Sequence, residues 1–216
     1  MSEVDMLDPL DIHQYLLAHD VRHEIVRLPR TSAGASSLAE ALRLPPHQCV
    51  AVHPFHTAAL GGDVLAVVLT PSDITIDTDG TATVLGTMMR DRIGAAAQFA
   101  PARAALVSQH TDYLAGHLAP LLLPPDVIVV ATQALVDLAG TTVYTATGDA
   151  GTALALRALD LLVLTHAIVL PDRRRVARRR PITIDLDPAR SAAQFDTAVR
   201  RTDASPPRVV ASKAAS

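Results

Sequence analysis

The sequence predicts an α/β chain of the α+β type, a mixed and largely antiparallel sheet flanked by helices. Three observations lead there. Short β-branched runs at 63–70 (DVLAVVLT), 127–131 and 142–147 have the length and composition of strands. They interleave with segments of helical character at 11–18, 37–44, 86–93, 101–109 and 153–164. Several links between neighbouring strands fall short of the roughly dozen residues that a parallel crossover needs.

Residues 11–18 (DIHQYLLA) follow Asp8-Pro9, an acceptable helix start, and Ile12, Tyr15, Leu16 and Leu17 supply an apolar face. His19-Asp20 end that helix, and 21–28 (VRHEIVRL) alternate as a half-buried strand does. The small polar residues of 29–36 make a loop. Ser37 with Glu40 gives a capping-box pattern for a helix through Leu44, which Pro45-Pro46 stop. A strand starts at Cys49 and is broken by Pro54. Gly61-Gly62 turn the chain into strand 63–70, and 71–77 run toward a further strand. Gly86 begins a helix with Gly94 at its C′ position, and Pro101 suits the first turn of the next. The stretch 111–125 (TDYLAGHLAPLLLPP) follows; Gly116 there permits close backbone approach to a ligand, and Pro120 fixes the loop's shape. Strand 127–131, a turn at Ala139-Gly140, strand 142–147, a tight loop at 148–151 and a core helix over 153–164 complete the domain.

With 216 residues, 49% of them hydrophobic, the chain can build one full core and an appendage. We expect a domain over 1–170 and an extension over 171–216. The extension opens on RRRVARRR, continues through ITIDL (a candidate edge strand) and an amphipathic helix over 188–201, and ends in a disordered tail from Asp203. Net charge is −3, and the cations are almost all arginine, since Lys213 is the single lysine. No apolar run reaches the roughly 18 residues of a membrane span. The acidic start, MSEVDMLDPLD, is unlike a secretory signal. One cysteine, Cys49, excludes an internal disulfide and a cysteine-rich metal site. These features predict a cytoplasmic protein.

The chain lacks a G-x-S-x-G elbow, a G-x-x-x-x-G-K-[ST] phosphate loop and a G-x-G-x-x-G turn. His53 and His56 form an H-x-x-H pair that, with His110 and His117, invites a metal reading. Pro54 interrupts the pair and no carboxylate completes a zinc set, so neither metal nor other cofactor is expected. His13, His19, His23, His47 and His166 read as surface or capping residues. Cys49, in an expected buried strand, reads as a small core residue. Arg173, Arg174, Arg175, Arg178, Arg179 and Arg180 offer forked donors to phosphates, or form a solvated linker. No aromatics interleave with them, so base stacking from this run is not expected.

Four blocks in order carry a resemblance: 38–46 (LAEALRLPP), 63–71 (DVLAVVLTP), 116–120 (GHLAP) and 148–164 (GDAGTALALRALDLLVL). Together they resemble the YbaK-like family of aminoacyl-tRNA deacylases, relatives of the prolyl-tRNA synthetase editing domain, over about residues 10–168. The resemblance implies an editing-domain fold that hydrolyses, in trans, the ester of misacylated tRNA in translation quality control. It implies tRNA as partner, a synthetase as a further protein partner, and a pocket for small aminoacyl groups. Gly116, His117, Leu118, Ala119 and Pro120 would cradle the ester, with Ala51 and Gly148 as further substrate contacts and the six arginines on tRNA. A positioned water or a ribose hydroxyl would assist attack. The sequence departs from the family pattern where a K-T-L strand places its lysine: Ala51 stands there, and no lysine exists in the core. His53, two residues on and on the same strand face, is the expected catalytic substitute. Leu122 replaces the loop's later glycine, and Ala131-Thr132 stand where relatives often carry Asp-Glu. Three functions stay open: a deacylase, a non-catalytic member of the fold that binds tRNA, a small aminoacyl-like ligand or a protein, and a hydrolase of some unrelated ester.

Overall fold

Capping, alternation and connection length decide the layers. The computed structural model describes residues 6–32, 35–59, 62–93, 98–114 and 116–170. Helix α1 (Pro9–Ala18) opens at Asp8, whose carboxylate accepts from the N–H of Leu10 and Asp11 while the Asp11 carboxylate accepts from the Asp8 N–H. That reciprocal cap satisfies donors which no helical turn can reach. Strand β1 (His23–Arg27), helix α2 (Ala35–Leu42) and the long hairpin of β2 (Val50–Ala59) and β3 (Gly62–Pro71) follow. Helices α3 (Thr78–Met88) and α4 (Arg90–Ile93), strand β4 (Ala100–Pro101) and helix α5 (Ala104–Thr111) lead into the Gly116 loop. Beyond it come β5 (Ile128–Thr132), α6 (Gln133–Val136), β6 (Thr142–Ala146), β7 (Thr152–Arg157), α7 (Ala158–Leu164) and β8 (Ile168–Leu170).

Five strands form one sheet in the order β4-β2-β3-β5-β8, and three form a second in the order β1-β7-β6. The second sheet is antiparallel throughout. In the first, β2 runs antiparallel to β3 and β4, whereas β5 runs parallel to β3 and β8. The parallel partners are joined by long, helix-containing connections, as their geometry demands. The architecture is thus the expected mixed, largely antiparallel one, split over two sheets.

Register fixes which side chains share a face. Val50, Val52, Pro54 and His56 of β2 oppose Pro71, Leu69, Val67 and Leu65 of β3. The last three join Ile12, Leu16, Tyr113 and Leu154 in the main core. The alternate residues Ala51, His53 and Phe55 oppose Thr70, Val68 and Ala66, on the face that packs with Leu85, Met89 and Phe99 in a second core. With both faces covered, β3 reads as an unbroken apolar run. Each fully buried leucine, such as Leu69, contributes about 2 kcal/mol by leaving water.

Several local expectations are corrected. Residues 153–157 are strand, and the helix begins only at Ala158. Their Ala and Leu favour helix, but T-A-L-A-L-R also has period two, and β7 is held between β1 and β6. The helix expected from Gly86 begins at Thr78, because the Asp77 carboxylate accepts from the Gly80 N–H and caps it. Ser37 does not cap α2; it lies inside the helix, and its hydroxyl meets that of Ser32 at 2.8 Å. Pro101 sits in β4 opposite Phe55, ahead of α5. Pro54 does not break β2. Its carbonyl accepts from the Ala102 N–H, away from β3, so its missing N–H removes nothing from the β2–β3 ladder. The expected ITIDL strand, the 188–201 helix, the terminal tail and the arginine run lie outside the described residues.

Candidate active site

A cavity of about 430 Å³ opens beside the Gly116 loop, within the size range of small-molecule sites. Its floor is the β2 face carrying Val50, Val52 and Pro54. One wall is α5 with its approach (Ala102, Ala104, Val107), and the next is Gly116, His117 and Leu118. Ser32 and Leu38 face these from the α2 side, and Ala146, Asp149 and Thr152 come from the β6–β7 hairpin. The lining is apolar at the floor and polar along the hairpin.

Tyr113 holds two of these walls. It is fully buried, and its hydroxyl donates to the Leu121 carbonyl at 2.8 Å, closing the loop across eight residues. Burial raises its pKa well above the ordinary phenol value, with the Asp11 carboxylate adding to the shift, so the phenol stays a donor. Helix α5 ends at Asp112 in the left-handed conformation, and the Asp112 carbonyl accepts from the Leu7 N–H. Gly116 has φ +94 and open space where a Cβ would stand. Gly148 has φ +91, and a Cβ there would lie 2.9 Å from both the Leu7 carbonyl oxygen and the Tyr113 ring. The hairpin is therefore seated against the same tyrosine that staples the loop.

Within the hairpin, the Thr147 and Thr152 hydroxyls meet at 2.6 Å, and Thr152 donates to the Asp149 carboxylate at 3.3 Å. The Ser32 N–H donates to the Ala150 carbonyl and the Leu28 N–H to that of Gly151, tying the hairpin to the chain after β1.

No protein-family model and no curated protein matches the sequence. Solved structures do. Hypothetical protein APE2540 superposes with a TM-score of 0.58 at 20% identity, over 73% of this chain and 95% of that one. A protein proposed as a trans-editing enzyme for prolyl tRNA synthetase superposes at 0.55 and 21% identity, over 78% of this chain and 96% of that one. The chain shares its fold with these two structures. In this fold the cavity collects part of the expected site. Gly116, His117 and Leu118 line it. Ala119 is buried in the main core behind the loop. Pro120 borders a separate hollow of about 790 Å³ shared with Tyr15 and His166. Gly148 seats the hairpin and does not line the cavity.

Ala51 and His53 do not share this space. Both lie on the α3 side of β2, while Val50, Val52 and Pro54 face the cavity. A shift of one residue moves a side chain to the opposite face of a strand, which is why Ala51 and His53 face away from the cavity that Val52 lines. The His53 Nε2 is buried without a hydrogen-bond partner, and burial lowers its pKa, which keeps the ring neutral. His56 projects from the other face, so the H-x-x-H pair cannot converge on one ion. Among the described residues no three His, Cys, Asp or Glu gather as a metal site, and no helix is long and apolar enough to cross a membrane.

Sequence reasoning missed Val52, Asp149, Thr152 and Ser32. Asp149 had a signal, its place between Gly148 and Gly151 in a tight loop. Ser32 had none, because only the fold brings it to the hairpin.

Proposed function

We propose that this protein hydrolyses the ester of misacylated tRNA in trans, with the 1–170 domain carrying the site and the arginines of the extension contacting tRNA. One observation carries the reading: an open cavity of small-molecule size lined by Gly116 and His117 above an apolar floor. The likeness in fold to a protein proposed as a trans-editing enzyme supports it. A small aminoacyl group lies on the Val50–Val52–Pro54 floor, and the ester carbonyl meets the loop. Water attacks the carbonyl carbon, and the bond to the ribose oxygen breaks. His117 takes the water's proton and returns one to the departing ribose oxygen. An ester is already activated, so orientation and aligned donors carry most of the barrier reduction. Such a role places the protein in the cytoplasm, alongside tRNA and its synthetases.

The experiment is a deacylation assay on a panel of tRNA-Pro charged with alanine, serine or cysteine. At least one should be discharged, and His117→Ala should slow that reaction by about 100-fold or more, the usual effect of removing an acid–base group. If every mischarged tRNA stays intact, the enzyme reading is lost. The second reading, a non-catalytic binder, is favoured by the floor itself, since Val50, Val52 and Pro54 present no cation to the ester. Tight binding of aminoacyl-tRNA without discharge identifies that case.

A further inference from the structure

We infer that Asp149 makes the cavity a receptor for a primary ammonium group, so that it accepts an amino ester and rejects the free amino acid. This rests on the aminoacyl-ester reading above. Among the described residues lining the cavity, Asp149 bears the fixed charge, His117 is the other titratable group, and neither lysine nor arginine is present. An aminoacyl ester is a monocation: its carboxyl group is tied up with ribose and only the α-ammonium is charged. The free amino acid adds a carboxylate, which this lining gives no cation to meet. Hydrolysis therefore converts a ligand that matches the cavity into a zwitterion whose new carboxylate meets no cation there. Selection of substrate and release of product then follow from the same lining.

The carboxylate is held in place for this. Thr152 donates to its Oδ2, and a carboxylate has further lone pairs for an ammonium donor. The hairpin that carries it is fixed by the contact of Gly148 with Leu7 and Tyr113, and by the bonds from Ser32 and Leu28. The Thr147 hydroxyl meets that of Thr152 in turn, so the three side chains form one hydrogen-bonded cluster.

The test uses a stable amide mimic, 3′-(L-alanyl)amino-3′-deoxyadenosine, and its N-acetyl derivative, which differs in having no positive charge. Calorimetric titration of the full-length protein should show the free amine bound at least about tenfold more tightly than the N-acetyl form, since pairing with a charge strengthens a hydrogen bond. Asp149→Asn keeps an acceptor for Thr152 and should lose that preference, with unchanged affinity for the N-acetyl probe and an unchanged melting temperature. Equal binding of both probes by the wild type, equal weakening of both by Asp149→Asn, or binding of neither overturns the inference. The enzyme reading is separable from it. Discharge of alanyl-tRNA and N-acetylalanyl-tRNA at equal rates sinks the ammonium receptor and leaves the hydrolase. An amine preference in binding without discharge of either does the reverse.

Discussion

Replacing Gly148 by alanine tests whether the hairpin wall is seated as described. The new Cβ meets two separate penalties. At φ +91 an L side chain is strained, which costs about 1–2 kcal/mol. The Cβ also arrives 2.9 Å from the Leu7 carbonyl oxygen and 2.9 Å from Tyr113 Cε1. Neither neighbour yields easily: the first is backbone, and the second is a fully buried ring whose hydroxyl is bonded to Leu121. Overpacking of this kind adds about 1–3 kcal/mol, for a total of about 2–5 kcal/mol. Near 3 kcal/mol, a domain of this size should melt roughly 6–12 °C lower. Two control glycines grade the effect. Gly116→Ala carries the strain at φ +94 but has nothing within 4 Å, and Gly140→Ala has open space without a left-handed φ. Urea denaturation should rank the losses Gly148 above Gly116 above Gly140, the last near zero. A Gly148→Ala protein as stable as Gly140→Ala would refute the claim that Tyr113 and Leu7 fix the hairpin.

Further outcomes can be measured at His53, at Cys49 and in the arginine run. His53 has a lowered pKa in the fold against an ordinary value of 6.5, so below about pH 6.5 the unfolded chain binds a proton that the folded one refuses. Its effect on stability is therefore nil above that pH and grows more damaging as pH falls toward the folded pKa. His53→Leu should reduce the drop in melting temperature between about pH 7.5 and pH 5.5, and His53→Ala should leave any deacylation rate within about twofold, because the ring faces away from the cavity. Cys49 is fully buried, and burial pushes its thiol up to about 11. At pH 8 about one thiol in a thousand is ionised, so a thiol reagent should label the denatured chain fully and the native one barely at all. Converting the six arginines of 173–180 to glutamine should flatten the salt dependence of tRNA affinity by a slope of about 3 or more, and an unchanged slope would remove them from the interface.

Much of the fold was legible because local and tertiary preferences agreed. The run of β3 is apolar on both faces, and both faces are indeed covered. Leu122 adopts a left-handed backbone at φ +55, a conformation that glycine takes at lower cost. The failures came where the two preferences conflict. Thr152–Arg157 has helix-forming residues in a strand-forming environment, and only its two neighbours in the sheet decide the matter. Pro54 looks like a breaker until the side of its carbonyl is known. The site suffered most from register. Ala51, Val52 and His53 are adjacent in sequence, yet only the middle one meets the cavity, and no periodicity rule states which parity faces inward.

Four distant stretches of chain, 32–38, 50–54, 102–118 and 146–152, supply the lining of the cavity. A chain still emerging from synthesis therefore lacks the complete lining until the β6–β7 hairpin is made. Contacts of such long sequence separation form late and slowly. Cut in the Gly116 loop, the first half of the chain would lose the hairpin wall of Ala146, Asp149 and Thr152, and the second half would lose the β2 floor. Ligand affinity in this protein is a readout of completed folding, and any lesion that lowers the folded fraction lowers occupancy in proportion.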